Sequence, residues 1–357
     1  MTEIPIQNLY YLLCYAWDRL EERDRVPVDA ASCPDVLNLL AKVLANGTSR
    51  LLRRGLDRDY VPVEEVTPRL RGRICFAEAV ARCQHRQAAL PCRFDEFSHD
   101  VLHNRILYST LLVLLRTNGL TRENQDRLRT LCQQMGEITP MAVRDADFGR
   151  VRLHRNNQFY DFLLKICRIA LGSLLPSEGA GRQKFVDFLR DEKKMRTLFE
   201  EFVRNFYRTH ARRVFPDVRR TEITWRLTPG DADGQALLPK MQTDVTLIGQ
   251  GKTVIIDCKY YSDALQHHHE TDKFLSGNLY QIHAYLTNHA ASDKYAQEEL
   301  EVFLLYPTTT TPLSHRFTTP QGHVLCVHTV NLDQPWEGIH RDLLGLVGIR
   351  EEVAAVS

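Results

Sequence analysis

The stretch Gln242–Tyr261, QTDVTLIGQGKTVIIDCKYY, constrains this chain more than any other. Two runs rich in β-branched residues flank a short turn, Gly249–Lys252. That pattern predicts a hairpin, with one strand over about Thr243–Ile248 and the other over about Thr253–Lys259. Paired symmetrically about the turn, Ile248 faces Thr253, Leu247 faces Val254, and Asp244 faces Asp257. Directly opposed residues carry Cβ atoms roughly 4.5–5.5 Å apart. Side chains alternate between faces, so Asp257 and Lys259 share one and Cys258 takes the other. Cys258 is then expected to offer at most its backbone carbonyl. Two carboxylates and one ammonium converge on one patch, and like charges directly opposed destabilise a sheet. A divalent cation relieves that repulsion, and oxygen ligands of this kind suit Mg²⁺. The lysine can orient a water or stabilise negative charge developing on a phosphate. The competing expectation is an edge hairpin with solvated charges.

A chain of 357 residues has room for about two domains. The formal net charge of +1 excludes a uniformly basic nucleic-acid binder, so any DNA affinity must come from local patches or from a partner. Nine cysteines without a Cys-x-x-Cys pair argue against a zinc ribbon, and the odd number argues against a closed disulfide framework. Reduced cytoplasmic thiols are the expectation. There is no apolar run long enough to cross a membrane and no secretion signal at the N-terminus. No Gly-x-x-x-x-Gly-Lys-Ser/Thr loop occurs, so nucleotide hydrolysis would have to come from another chain.

The N-terminal half reads as mainly helical. Leu9, Leu12, Leu13, Ala16, Trp17 and Leu20 recur at helical spacing after Asn8, a plausible N-cap. Further helices are expected over Asp35–Arg54, Val101–Leu115, Arg122–Met135 and Gln158–Leu175, with Asn104 and Arg105 interrupting one apolar face. Tyr60–Pro68 reads as an extended segment broken by prolines. It leads into Arg69, Arg71 and Arg73 around Gly72, which could hold an anion, a phosphate or an acidic partner surface, or form a solvated turn. The basic helix end Arg50–Arg58 is a second docking candidate. The break Pro176–Gly181 sets the expected boundary: a docking domain over 1–178, with a basic β/loop element near 60–76, and a second domain over 179–357.

In the second half, Met195–Arg212 carries the apolar stripe Phe199, Phe202, Val203, Phe206 and His210. Arg204, Arg208 and Arg212 recur on the opposite face, and Arg213, Arg219 and Arg220 follow, as DNA-backbone contacts or as a solvated charged face. His267–His269 followed by Glu270 is expected to be a solvated loop, since consecutive histidines cannot converge on one metal. A helix over Asn278–Tyr285 puts Gln281 and Tyr285 on one face, and strands are expected over Glu301–Pro307 and His323–Asn331.

Thr243-Asp244 followed by Ile255-Ile256-Asp257-Cys258-Lys259 resembles the active-site pattern of the PD-(D/E)xK nuclease superfamily, with Thr243 where that pattern has proline. The resemblance implies an α/β restriction-endonuclease-like domain whose mixed sheet is flanked by helices. It implies Asp244 and Asp257 as Mg²⁺ ligands and Lys259 as a catalytic residue. A glutamate on the preceding helix often completes the metal site there; Glu200 suits this best by helical geometry, and it could equally pair with Arg204 at i,i+4. Gln281-x-x-x-Tyr285 resembles the RecB-like branch, in which the glutamine supports the catalytic site.

Asn8-Leu9-Tyr10-Tyr11-Leu12-Leu13, Arg53-Arg54-Gly55-Leu56, Leu70-Arg71-Gly72-Arg73-Ile74, Asn104-Arg105-Ile106, Asn278-Leu279-Tyr280-Gln281 and Thr329-Val330-Asn331-Leu332 are similar to the McrC family of 5-methylcytosine-specific restriction nuclease subunits. That resemblance implies a DNA endonuclease that docks through its N-terminal region, with Arg69, Arg71 and Arg73 as candidates, into a McrB-like AAA+ GTPase ring. The ring binds the GTP. DNA with modified cytosine is the implied substrate, with room for two nuclease subunits to pair for double-strand cleavage. The alternatives are a stand-alone RecB-like exonuclease and a non-catalytic adaptor of a motor ring.

Overall fold

The computed structural model describes residues 4–22, 33–81, 89–176, 183–227, 234, 237–260, 265–268, 271–291, 298–308 and 312–350. The chain divides into two units, residues 31–187 and residues 1–30 together with 188–357. It opens with α1 (Ile6–Ala16), which joins the second of these units and whose residues Asn8–Tyr10 and Leu12–Ala16 are all buried.

In the unit spanning 31–187, α2 (Val36–Arg54) starts where the Asp35 carboxylate accepts the Asn38 N–H at 2.8 Å, and it stops at Gly55. A three-stranded antiparallel sheet follows: β1 (Asp59–Thr67), β2 (Arg73–Ile74) and β3 (Leu90–Ser98), with β3 in the middle; α3 (Phe76–Ala81) lies between β2 and β3 in sequence. The prolines do not break β1, because it is an edge strand, and the missing N–H of Pro62 costs no ladder hydrogen bond on the open side. Then come α4 (Leu102–Leu115), α5 (Arg122–Gln134), the short α6 (Asp145–Arg150), α7 (Phe159–Gly172) and the strand pair β4 (Leu174–Pro176) and β5 (Gln183–Phe185). Asn104, the polar interruption in α4, is fully buried. Its amide donates to Asp57 O and His99 O, and its Oδ1 accepts from the Tyr160 hydroxyl. It thereby ties together the chain entering β1 and the chain leaving β3.

The other unit is built on α8 (Glu192–His210), capped by Asp191, with Met195, Phe199, Phe202, Val203 and Phe206 turned inward. A six-stranded mixed sheet holds the expected hairpin at its centre. Two antiparallel strands, β6 (Asp217–Arg219) and β9 (Val245–Ile248), lead to β10 (Lys252–Cys258); a small side pair, β7 (Glu222–Ile223) and β8 (Met241–Gln242), lies outside the sheet. The hairpin β11 (Leu265–His268) and β12 (Thr271–Phe274) and the helix α9 (Ser276–Ala290) follow. Next, β13 (Glu299–Thr308) runs parallel to β10, as a helical crossover requires. After β14 (Ser314–Thr318), β15 (Val324–Asn331) runs parallel to β13, and α10 (Trp336–Leu346) closes the described chain. β10 is therefore no edge strand. It is flanked by β9 and β13 and buried from Thr253 to Cys258, which is why it is a continuous apolar run. One face of the sheet packs under α9, where Ile255, Val302, Leu304, Tyr306 and Val327 meet Ile282, Tyr285 and Leu286.

Two expectations are corrected, and a third falls outside the described residues. The first helix does not go with the helical unit. Asn205 Nδ2 of α8 donates to Tyr15 O and Ala16 O at 3.0 Å each, satisfying the last carbonyls of α1, while Asn8 Nδ2 donates to Leu332 O and Gln334 O. Likewise, His267 and His268 lie in β11 rather than in a loop, while His269 and Glu270 lie outside the described residues. The expected boundary 178/179 also falls outside them, and the division between units comes at 187/188. Among the described residues no helix is long and apolar enough to cross a membrane.

Candidate active site

The hairpin register is the expected one: Thr253 opposes Ile248, Val254 opposes Leu247, and pairing continues to Ile256 opposite Val245. Gly251, with φ +72°, turns the chain in the left-handed region that a β-carbon disfavours. Asp244 sits one step beyond the last pair. Its Oδ2 accepts the Cys258 N–H at 2.8 Å, so the cysteine contributes its amide rather than its carbonyl, and its side chain is buried away from the patch. Thr243 clamps the start of the hairpin to the chain at Thr221. Its N–H donates to Thr221 O at 3.0 Å, its hydroxyl accepts the Thr221 N–H at 2.9 Å, and it meets Thr246 Oγ1 at 2.8 Å.

Asp257 is 1% exposed, and Lys259 Nζ stands 2.7 Å from its Oδ2. That ammonium is the charged donor to this oxygen. Lys259 also donates to Gln281 Oε1 at 2.8 Å; Gln281 Nε2 donates to the Tyr285 hydroxyl at 2.7 Å, and that hydroxyl donates to Gln242 O at 3.0 Å. The chain of bonds returns to the hairpin two residues before Asp244, fixing the lysine from behind. Burial pushes the Asp257 carboxyl up to about 6, against the pull of Lys259 and with a further push from Asp244. Asp244 is also raised by burial, opposed by the Cys258 N–H, Lys259, Arg220 and Arg196. Burial lifts the Tyr285 hydroxyl to about 12, with Asp257 adding to it.

Glu200 faces this patch from α8. Burial lifts its carboxyl to about 7, the charge of Asp244 adds to that, and Arg220 and Arg196 oppose it. Its partners are Arg220, whose Nη2 donates at 2.6 Å, and Arg196 at 3.6 Å. The expected pairing with Arg204 is not made: Arg204 bridges Glu201 and is 3.4 Å from Asp244 O. Arg204 is 8% exposed and so is not an open DNA contact. Arg208 is exposed on the last turn, and Arg212 is exposed beyond the end of the helix. Among the described residues no three carboxylate, histidine or cysteine side chains come together as a metal cage. Two carboxylates, Asp244 and the buried Asp257, do meet beside Lys259. That oxygen donor set fits Mg²⁺, which keeps several waters and is commonly held by one or two carboxylates.

In the helical unit, Arg69, Arg71 and Arg73 are all exposed. The Arg71 guanidinium lies 4.3 Å over the Phe94 ring. Gly72 between them has φ +64°, and a Cβ there would stand 2.4 Å from Arg93 O, so the turn requires glycine. In the same sheet, its turns and α3, Tyr60, Val66, Leu70, Phe76, Val80 and Phe97 expose large apolar side chains.

A family model described as McrBC 5-methylcytosine restriction system component matches residues 7–307. The chain belongs to that family. It is 32% identical over 343 residues to the type IV methyl-directed restriction enzyme EcoKMcrBC of Escherichia coli (strain K12), covering 96% of this chain and 97% of that protein. Its fold is similar, with TM-score 0.56 and 18% identity over 96% of this chain and 76% of the other, to a chain in a half-complex of Thermococcus gammatolerans McrB AAA+ hexamers with bound McrC.

The McrBC family motifs thus accompany a patch in which Asp244, Asp257, Lys259 and Gln281 come together. Sequence reasoning placed Arg220 only among the arginines that follow α8, and it missed Arg196, the Thr243 clamp and the Cys258 amide. The Thr243–Thr246 pair on the hairpin was the one signal available for the clamp; nothing in the spacing marks the arginines.

Proposed function

We propose that this chain is the DNA-cleaving subunit of a modification-dependent restriction complex, with a PD-(D/E)xK site that uses Mg²⁺. The observation that carries this is the buried Asp257 carboxylate beside Asp244, with Lys259 fixed by Gln281. Asp244 and Asp257 would hold the ion, which when bound polarises a phosphodiester and lowers the pKa of water. The chain's own groups do the rest. Gln281 and Tyr285 hold the Lys259 amine on the carboxylate face, where it can orient the attacking water or meet charge developing on the phosphate. The Cys258 N–H holds Asp244 in place. Burial of Asp257 keeps competing water off the patch.

The partner would be an AAA+ GTPase ring of the McrB kind, which supplies the nucleotide hydrolysis for which this sequence has no phosphate loop. The exposed apolar and arginine side chains around Gly72 are the docking surface in this reading, since large exposed apolar groups with basic neighbours mark interfaces. Substrate would be DNA carrying 5-methylcytosine, in keeping with the family description.

The test is cleavage of methylated and unmethylated circular DNA by the full chain with Mg²⁺, with and without a partner GTPase and GTP. Cutting of methylated circles only with the partner is the expected result. Degradation from linear ends by the chain alone would make it an exonuclease, and stimulated GTPase without any cutting would make it an adaptor.

A further inference from the structure

Beside the aspartate–lysine patch stand two guanidinium groups that catalysis by Asp244, Asp257 and Lys259 does not use. Arg196 lies in the early turns of α8, and Arg220 lies between β6 and β7. They meet on one carboxylate: Glu200 Oε2 accepts from Arg220 Nη2 at 2.6 Å, and Arg196 Nε is 3.6 Å from Oε1. The burial is asymmetric. The Glu200 side chain is 12% exposed, whereas Arg196 and Arg220 are 46% and 38% exposed. Each guanidinium is anchored at its inner end and open at its outer end. A guanidinium has five donors in a planar fork, so the anchored pair keeps N–H groups to offer outward.

The position of Arg220 is fixed twice over. Its neighbour Thr221 accepts the N–H of Thr243, the residue before Asp244, and donates its own N–H to the Thr243 hydroxyl. The arginine is thereby held at a constant offset from the carboxylates. Both guanidinium groups act electrostatically on Asp244, and Arg196 acts on Asp257 as well. Two arginines against one glutamate leave a net positive charge next to the two aspartates. That arrangement attracts an anion adjacent to the reacting centre, as DNA supplies in its neighbouring phosphates.

We infer that Arg196 and Arg220, held by Glu200, form a seat for a DNA phosphate flanking the scissile bond, and that Glu200 is a positioning residue rather than a third metal ligand. This rests on the nuclease reading. Glu200 accepts a hydrogen bond from Arg220 on Oε2 and faces Arg196 across a longer 3.6 Å ion pair on Oε1, and among the described residues no three-carboxylate cage forms with it. By contrast, Arg204 is buried and bound to Glu201 and a main-chain carbonyl, so it cannot serve in this way.

The experiment uses the full chain, a fluorescent methylated DNA duplex, and Ca²⁺ in place of Mg²⁺ so that binding is read without cutting. Arg196→Gln and Arg220→Gln are each expected to weaken duplex binding by about tenfold. Each should also make the slope of log affinity against log salt shallower by about 0.9, the signature of one lost phosphate contact. The Mg²⁺-induced rise in Tm should be unchanged in Glu200→Gln and lost in Asp257→Asn. Arg220→Lys, which keeps the charge and is mild for folding, should recover part of the affinity. Wild-type affinity and salt slope in both arginine variants would overturn the seat. Loss of the Mg²⁺-induced rise in Glu200→Gln would make Glu200 a ligand and overturn its positioning role. Either outcome leaves the nuclease reading standing, provided Asp257→Asn loses its Mg²⁺ response. A wild-type chain that responds to neither Mg²⁺ nor duplex would instead bring down both.

Discussion

At the scale of single residues, Asp257 is a buried carboxylate held between the ammonium of Lys259 and the like charge of Asp244. Its carboxyl is raised above the unfolded value of 3.8 to about 6. Between these values the folded chain binds more protons at this group than the unfolded chain does, so this group's contribution to stability falls as pH rises through the window. In chelator, wild-type protein is therefore expected to gain stability relative to Asp257→Asn as pH is lowered from about 7 to about 4. Mg²⁺ should narrow that difference at neutral pH. Parallel thermal melts of the two proteins across this range check it; a difference that does not vary with pH contradicts it. Cleavage should disappear in Asp244→Asn, Asp257→Asn and Lys259→Ala. Gln281→Ala should slow it by the smaller factor appropriate to a residue that orients Lys259, measured as initial rates on methylated plasmid. The two aspartates and the lysine were legible in the sequence, because strand periodicity and a short turn fix which side chains share a face. Arg220 showed only as one of a run of arginines, and its meeting with Arg196 on Glu200 was not legible. They meet only after α8 lies against the strands, and no local spacing records that contact.

At the scale of elements, periodicity made the helices legible, and neighbours explain the misses. A continuous apolar run is compatible with an edge or a centre, and only the parallel partner β13 makes β10 central. Pro62 signals a break, yet an edge position accommodates it. The turn between β1 and β2 permits a sharp prediction. Gly72→Ala puts a methyl group against Arg93 O and a side chain at positive φ, at a cost of about 1–3 kcal/mol. The turn should shift and misplace Arg71 and Arg73. Under the docking reading, GTPase stimulation then falls about as far as in Arg71→Ala/Arg73→Ala, where loss of charge-assisted interface contacts costs roughly 2–5 kcal/mol. The Mg²⁺ response at Asp244 and Asp257 should persist, because the turn and the carboxylates share no bonding partners and belong to different units. Titrating each variant into the partner GTPase and reading GTP turnover decides it; full stimulation by both would move docking elsewhere.

At the scale of the whole molecule, the unit that carries the catalytic patch is discontinuous in sequence, and this was the least legible feature. A cut at the Pro176–Gly181 break is natural for a reader of composition, but composition cannot show where an apolar helix finds its partners. Tyr15 stacks on Trp336 with centroids 5.1 Å apart and sets its edge against Phe202, and its hydroxyl meets His210 Nε2 at 2.8 Å. Removing α1 would expose the Phe202 and Phe206 stripe and strip Asn205 of both its acceptors. Large buried aromatic and leucine side chains are worth about 1.5–3 kcal/mol each when fully buried, so losing several exceeds the stability of an ordinary domain. A fragment of residues 188–357 alone should therefore lack a cooperative melt, whereas residues 31–187 should fold by themselves. Adding a synthetic peptide of residues 1–22 to the first fragment should restore a cooperative transition and, with it, the Mg²⁺-induced rise in Tm. Circular dichroism melts of the fragment with and without peptide provide the measurement. A cooperative, Mg²⁺-responsive melt from residues 188–357 alone would show that α1 is dispensable to the catalytic unit.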